Sequence, residues 1–197
     1  MGRTRFGQIA VAFLMITGVN VALAEGRFHP PFEVTGSVIK NHDGDTIKLV
    51  TEERGVITIR LSGADTPEMG QAYWKAARNY LRSLVAGQKT TAWCYKVDRY
   101  DREVCHVRVG NQDVGQALIS AGYAWYAYQF AAELTDGQRL AYPEAERRAS
   151  AGRIGLWLET DPMPPWECRR LIRAKKNTSR TPSPWPNTFR GTLASPG

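Results

Sequence analysis

Apolar and polar residues alternate in three short runs near the middle of the chain, and this pattern predicts three β-strands. The runs lie at 32–40, 45–50 and 56–62, and turn-like segments separate them. In the third run the apolar side chains share one face, whereas Arg60 lies on the other. We therefore expect a rigid strand that presents Arg60 outward.

The next segment changes to a helical period. Apolar residues recur at steps of three and four between Tyr73 and Val85, and Gly87 follows at a position typical of a helix end. Two more strand-like runs, at about 88–96 and 102–109, flank a polar turn. The sequence thus predicts a helix followed by a β-hairpin.

Two further helices complete the predicted domain. A short helix begins at Asp113 and ends at Gly122, and a longer one spans about 135–151, where Pro143 predicts a kink or a late start. Three strands, a helix, two strands and two helices indicate an α+β fold. The architecture that fits is an OB-type, five-stranded Greek-key β-barrel with about three packed α-helices.

The N-terminal end of the chain lies outside this pattern. Arg3 and Arg5 precede an apolar stretch that ends at Ala24, which is typical of a cleavable signal peptide. An uncleaved anchor is the alternative, but polar residues interrupt the stretch and it is shorter than a membrane span, which needs about 20 apolar residues. We expect residues 1–24 to be removed and the mature protein to be exported, either to the periplasm or out of the cell.

The periodic spacing of apolar residues also ends near the C-terminus. Proline becomes frequent after Trp157, and Ser, Thr, Pro and basic residues then follow without apolar periodicity. We predict a folded domain over 25–166 and a disordered tail over 167–197, whose charge run is more typical of a solvated extension than of a nucleic-acid or membrane contact. The basic residues near the start of the tail are Arg169, Arg170, Arg173, Lys175 and Lys176.

Composition narrows the class of protein without identifying a function. The 197 residues are 43% hydrophobic, which excludes a collagen, a disordered chain and a multi-pass membrane protein, and 3 Cys are too few for a disulfide-dependent scaffold. The net charge is +7, but the excess lies in the leader and the tail, and the predicted domain is close to neutral. Net charge therefore gives no argument for nucleic-acid binding by the domain.

Three polar segments carry the candidate chemistry: DGDT at 43–46, RLSGADTPE at 60–68 and DRYDR at 98–102. Taken singly, each has an ordinary interpretation as a hairpin turn, a solvated strand end or a surface ion pair. Other chemistries have less support, because the 3 His residues are scattered and neither a G-x-S-x-G nor a P-loop sequence occurs.

In this order the three segments resemble the signatures of the staphylococcal-nuclease or thermonuclease family, which are D-G-D-T, R-L-x-x-x-D-T-P-E and D-x-Y-G-R. The resemblance spans about residues 32–158. It implies a calcium-dependent phosphodiesterase, a thermonuclease-like endonuclease that acts on DNA and RNA with little sequence preference. We expect a monomer that prefers single-stranded or locally unpaired nucleic acid.

The resemblance also assigns a metal site and a base. Asp45 and Asp65 would give carboxylates to Ca²⁺ with the backbone carbonyl of Thr66 beside them, and oxygen ligands suit this hard cation. Asp43 matches a further turn carboxylate near the ion. Glu68 would be the general base that accepts a proton from the attacking water. The alternative for Glu68 is a carboxylate in the first turn of a helix, favoured by the helix dipole.

By the same resemblance Arg60 and Arg102 would hold the phosphate from two sides, because a planar guanidinium can donate two parallel hydrogen bonds to developing negative charge. Tyr100 and Tyr128 match positions that hold the nucleotide. For these two residues, packing at the hairpin or within an aromatic run is the alternative.

The chain departs from the family pattern at two places. Asp101 replaces the usual Gly before Arg102, which matters if that position needs a positive φ. The segment after Glu68 is shorter than in the namesake enzyme, which predicts a different substrate affinity or preference. The alternative function is an OB-type module that has lost turnover and binds single-stranded nucleic acid or a protein partner.

The cysteines are a further departure. Cys94 and Cys105 flank the predicted hairpin turn, so a cross-strand disulfide is expected in an exported protein, with buried free thiols as the alternative. Cys168 has no evident partner in the sequence.

Overall fold

A sheet of mostly antiparallel strands and a set of α-helices make up the part of the chain that the computed structural model describes, residues 26–178. The strands are β1 (Arg27–Asn41), β2 (Thr46–Thr51), β3 (Gly55–Leu61), β4 (Ala64–Asp65), β5 (Lys89–Val97), β6 (Glu103–Val109), β7 (Gln112–Asp113) and β8 (Trp125–Tyr126). The α-helices are α1 (Trp74–Val85), α2 (Val114–Ser120), α3 (Asp136–Ala151) and α4 (Pro165–Thr178). Short 3₁₀ helices span Tyr128–Glu133 and Gly155–Leu158.

Five of the strands together form a closed barrel. The sheet runs in the order β3-β2-β1-β5-β6-β7, and β3 also pairs in parallel with β6. This last pairing joins the two sides of the sheet, and it makes the five-stranded, OB-type α+β fold that the sequence predicts. The long β1 serves both halves of the barrel, and a register shift between Val38 and Lys40 lets it bend.

The interior of the barrel follows from the period of two along the strands. Ile47, Leu49, Ile59 and Leu61 all point inward and are almost completely buried. Helix α1 closes the barrel with the buried face formed by Ala77, Leu81 and Val85. Because inward and outward positions alternate, the apolar side chains that fix β3 in the core also fix Arg60 on its opposite face.

The predicted helices and longer strands are confirmed to within a few residues, except that β1 begins earlier than expected. Helix α3 begins near its expected start and continues through Pro143. A capping box explains the start: the Thr135 hydroxyl accepts from the backbone N–H of Gln138, and the Gln138 side chain accepts from the backbone N–H of Thr135. The prediction of a late start is therefore wrong.

Three short strands and α4 were not predicted. The strands β4, β7 and β8 have two residues each, which is too short for any periodicity to show. The prediction of a disordered tail is wrong for 167–178, which belong to α4. Pro165 occupies the first helical position, where its fixed φ favours a helix, and Glu167 pairs with Arg170 one turn later.

Some predictions for the chain ends concern residues outside the described range. These are the signal peptide over 1–24 and the rest of the tail, 179–197. Between residues 26 and 178, no helix has the length and apolar character needed to cross a membrane.

The expected disulfide is confirmed. Cys94 and Cys105 face each other across β5 and β6 with their Cα atoms 4.1 Å apart, and both side chains are fully buried in the barrel. Cys168 is a free, half-buried thiol on α4. The disulfide therefore ties together the two strands whose connecting turn carries Arg102.

We expect loss of this disulfide to lower the free energy of unfolding. Closing a loop of 11 residues restricts the unfolded chain by about 3 kcal/mol. Urea unfolding of a Cys94→Ala/Cys105→Ala variant should show that loss, and reduction should no longer shift its midpoint. Cys168→Ser is the matched control, and a double variant as stable as the wild type would contradict the prediction.

Candidate active site

The functional side chains of the three polar segments meet at one end of the barrel because of the strand pairing. Thr46 at the start of β2 pairs with Arg60 on β3, and Arg60 in turn pairs with Val104 on β6. The DGDT turn, the end of β3 and the β5–β6 hairpin are therefore neighbours. The chain after β3 turns back through β4, which brings Asp65 beside the same point.

Arg60 joins the two aspartates. One Nη atom lies 2.8 Å from Oδ1 of Asp45, and the other lies 2.7 Å from Oδ1 of Asp65. Asp45 is 3% exposed and Asp65 is 1% exposed. The arginine thus points out of the barrel core as expected, but it is covered by the two carboxylates and only 19% of its side chain reaches water.

The surrounding backbone fixes this cluster. Oδ2 of Asp45 accepts from the backbone N–H and the hydroxyl of Thr66, at 3.2 and 3.3 Å. Oδ1 of Asp43 accepts from the backbone N–H of Asp45 at 3.1 Å, so Asp43 shapes the turn that presents its neighbour. The predicted ligands Asp45, Asp65 and Thr66 are therefore in one place.

Burial and charge act differently on the two aspartates. Burial raises the pKa of Asp45 to about 7, and the nearby Asp43 and Asp65 add to the rise although Arg60 opposes it. Burial would also raise the pKa of Asp65, but Arg60 and Arg169 outweigh it and hold that pKa below its usual range. The pKa of Arg60 is raised because Asp45 and Asp65 outweigh its own desolvation. Asp65 is thus the more firmly ionised carboxylate.

The donor chemistry of the cluster suits a hard divalent cation. Asp45 and Asp65 offer carboxylate oxygens, and Thr66 follows directly with a backbone carbonyl. Over the described range, no three His, Cys, Asp or Glu side chains are grouped so that they could hold a metal ion by themselves. Ca²⁺ takes six to eight oxygen ligands, so water and phosphate oxygens would have to complete this partial set.

The hairpin residue Arg102 reaches the cluster through Thr46. Its Nε donates to Oδ2 of Asp98 at 2.9 Å, and Nη1 donates to the hydroxyl of Thr46 at 3.0 Å. That hydroxyl donates in turn to Asp45 at 3.2 Å. Asp101 has a φ of 62°, so the position does require the left-handed conformation that the family's Gly provides.

Glu68 lies beside Asp65 and not on a helix. Its backbone N–H donates to the side chain of Gln71 at 2.7 Å, and α1 begins only at Trp74, so a role in the first turn of that helix is excluded. The carboxylate is 36% exposed, which leaves it open to water. It accepts a hydrogen bond at 2.6 Å from Arg169.

Arg169 is the site residue that the sequence analysis missed. From α4 its Nη2 lies 2.5 Å from Oδ2 of Asp65, and its Nη1 lies 3.1 Å from Oδ1. The sequence contained no usable signal, because Arg169 is 104 residues from Asp65 and lies in a polar segment without apolar periodicity. The interpretation of this residue as part of a solvated extension is wrong.

The two predicted nucleotide-binding tyrosines are exposed. Tyr100 is 63% exposed, and its ring centre lies 5.3 Å from the guanidinium of Arg102. Tyr128 is 64% exposed and contacts the ring of Trp166 edge-on, with centroids 5.8 Å apart. Neither side chain is buried, so both can meet a ligand.

Fold and site together define an OB-type protein with a buried acid–arginine cluster at one end of its barrel. A family model described as "Staphylococcal nuclease homologue" matches residues 58–159, which include Arg60, Asp65, Glu68 and Arg102. The chain belongs to this staphylococcal nuclease family. Asp45 and Arg169 lie outside the matched range and join the site through the fold.

Curated relatives agree with this assignment. The chain is 34% identical over 151 residues to a micrococcal nuclease of Shigella flexneri, covering 72% of this chain and 84% of that protein. It is 33% identical over 135 residues to an endonuclease of Escherichia coli O157:H7 described as uncharacterized, covering 68% and 84%. A protein of Escherichia coli named ParB is 31% identical over 147 residues, covering 70% and 80%.

The raised pKa of Asp45 predicts a pH dependence. In chelator, one aspartate carboxyl should titrate near pH 7, because burial disfavours its ionised form. The folded state then binds this proton more tightly than the unfolded state, in which the pKa of an aspartate carboxyl is about 3.9. The resulting stabilisation is complete below about pH 4 and is lost as the pH rises through about 7.

A ¹³C NMR titration of aspartate-labelled protein would measure this transition. The transition should disappear in Asp45→Asn and remain in Asp101→Asn, which changes an exposed carboxylate. Titration of every aspartate below pH 5 would refute the expected shift.

Proposed function

We propose that the protein is an exported, calcium-dependent nuclease that hydrolyses phosphodiester bonds of DNA and RNA with little sequence specificity. The observation that carries this proposal is the single cluster in which Asp45, Arg60 and Asp65 are joined directly, with Glu68 and Arg102 at its edges. Family membership supports a hydrolytic nuclease. The calcium dependence rests on the oxygen donors at the centre of the cluster.

Each residue of the site has a separate role in the proposed hydrolysis of a phosphodiester bond. Bound Ca²⁺ would supply positive charge beside a phosphate oxygen and lower the cost of the charge that develops there. Arg60 would approach that phosphate from β3 and Arg102 from the turn between β5 and β6, and both are held in place by aspartates. Glu68 takes the proton of the water that attacks phosphorus, and the bond from phosphorus to the leaving oxygen breaks.

A basic surface next to the site favours a long polyanion as substrate. Lys40 and Arg82 line a pocket of about 290 Å³ with Arg78, beside the strand that leads to the DGDT turn. Lys40 also faces Lys48 across β1 and β2, a like-charge pair that is unfavourable unless an anion binds there. Neither lysine has an ion-pair partner within the described part of the chain. A nucleic-acid backbone supplies suitable charges at regular spacing.

Lack of sequence preference fits the character of the contacts. Guanidinium groups and the basic pocket recognise phosphate, which is the same at every nucleotide. The exposed rings of Tyr100 and Tyr128 offer surfaces on which any base can stack. Single strands present their bases for such stacking, so we expect them to be preferred.

Export is proposed from two features. The leader has the composition of a signal peptide, and the buried disulfide is typical of proteins that work in an oxidising compartment. Periplasm and medium both meet this condition. The protein is expected to act as a monomer.

Cleavage of single-stranded and duplex DNA and of RNA, with calcium and with chelator, tests the proposed function. We expect calcium-dependent cleavage that Glu68→Gln lowers by about 100-fold or more, because the variant has no proton acceptor. Calcium-dependent binding of a nucleotide inhibitor should change much less. Glu159→Gln removes an exposed carboxylate outside the site and is the control.

One outcome would count against the proposed function and another against the role of Glu68 alone. A folded protein that binds single strands without cleaving them would be the binding module instead. Undiminished turnover by Glu68→Gln would remove Glu68 from the mechanism while leaving the nuclease activity in place.

The hairpin allows a separate prediction about Arg102. Asp98 accepts from the side chain and the backbone N–H of Arg102, whereas Asp101 supplies only the turn conformation and an exposed ion pair with Arg27. We expect Asp98→Ala to lower kcat by about tenfold or more, because Arg102 loses its orientation. Asp101→Gly should change kcat by less than about twofold, because Gly also adopts a positive φ. A large gain in kcat for Asp101→Gly would show that Asp101 misdirects Arg102.

A further inference from the structure

Helix α4 brings a positive charge into the centre of the acidic cluster. The guanidinium of Arg169 contacts both oxygens of Asp65 and one oxygen of Glu68, and only 28% of its side chain is exposed. With Arg60 on the other side, every oxygen of Asp65 is engaged by an arginine. A divalent ion that used Asp65 would therefore meet a position that is already taken.

The charges of the cluster explain why this position needs a cation. Asp45 and Asp65 lie almost out of contact with water, and Arg60 balances only one of them when both are ionised. A buried charge without a partner is strongly unfavourable, so a second positive charge is required. Arg169 provides it in this structure, and a divalent ion would provide it in the loaded protein.

We infer that Arg169 is a tethered cation that occupies the divalent-ion position, and that α4 withdraws from Asp65 and Glu68 when the ion binds. This inference rests on the proposed calcium dependence. It also gives Glu68 two states, one paired with Arg169 and one released to accept a proton. The helix therefore sets the affinity for the ion and the availability of the base together.

The attachment of α4 is suited to such a movement. Pro165 is its one buried residue, and its exposed residues run from Arg170 to Thr178. Besides Arg169, the contacts of this end of the chain include the packing of Pro165, the ring contact of Trp166 and a hydrogen bond from Gln71 to the carbonyl of Met163. The helix can leave without opening the barrel core, which is typical of elements at the low end of local stability.

The same helix contacts a residue of the expected nucleotide site. Trp166 contacts the ring of Tyr128 edge-on, so one movement of α4 removes this contact along with those to Asp65 and Glu68. Ion and nucleotide then release the same element. Because coupling between two ligands is reciprocal, each should raise the affinity for the other.

Isothermal titration of the purified protein with CaCl₂, without substrate, tests the inference. Arg169→Ala should bind Ca²⁺ about tenfold more tightly than the wild type, because the competing charge is gone. Arg169→Lys keeps a charge but loses the paired hydrogen bonds, so its affinity should lie between the two. Arg173→Ala makes the same change of charge on an exposed part of α4 and should match the wild type.

Limited proteolysis gives a second readout. Trypsin sites at Arg170, Arg173 and Lys175 lie on α4, and Ca²⁺ should accelerate cleavage there if the helix withdraws. In Arg169→Ala these sites should be cleaved readily even in chelator. Protection of α4 that Ca²⁺ leaves unchanged would overturn the inference.

The outcomes separate this inference from the proposed function. If the wild type and Arg169→Ala bind Ca²⁺ equally and the wild type cleaves DNA with calcium, the tethered cation is refuted and the nuclease stands. If neither protein binds Ca²⁺, both the calcium dependence and the inference fail. Tighter binding by Arg169→Ala, with circular dichroism like that of the wild type, supports both.

Discussion

Two aspartates removed from water and joined by one arginine are the constraint on which the rest of this structure depends. The Arg60 guanidinium bridges Asp45 and Asp65 from the outward face of β3, and the apolar residues on the inward face fix β3 in the barrel. A shift of β3 by one residue would turn Arg60 into the core and its apolar neighbours outward. Core packing and site geometry are therefore specified by the same alternation.

Burying the acid–arginine cluster lowers the stability of the folded protein, but it also creates the binding site. Burial raises the pKa of Asp45 although Arg60 lies beside it, so ionising that carboxyl at neutral pH lowers stability. The closed barrel and the Cys94–Cys105 disulfide can offset this cost because they hold β6 against β3 and β5 against β6. The folded site therefore has buried carboxylates that favour a bound cation before any ligand is present.

Much of this arrangement could be predicted from sequence, and the remainder has physical reasons for being missed. Strand β3 and helix α1 were accessible because their apolar period is long enough to read, and the order of the three polar segments identified the family. Strands β4 and β8 span two residues each and have no period. Helix α4 buries almost no apolar side chain, so its sequence resembles that of a solvated segment.

The location of Arg169 also changes how the site is divided between rigid and mobile parts. Arg60 sits on a strand paired on both sides, so its backbone cannot move away from the aspartates without opening the barrel. Arg169 makes equally short contacts with Asp65 from a helix that is mostly exposed. The two arginines have similar chemistry, but they differ in the free energy needed to move them away from the aspartates. Only the second can exchange with an ion, which is why the acidic cluster can be both preorganised and adjustable.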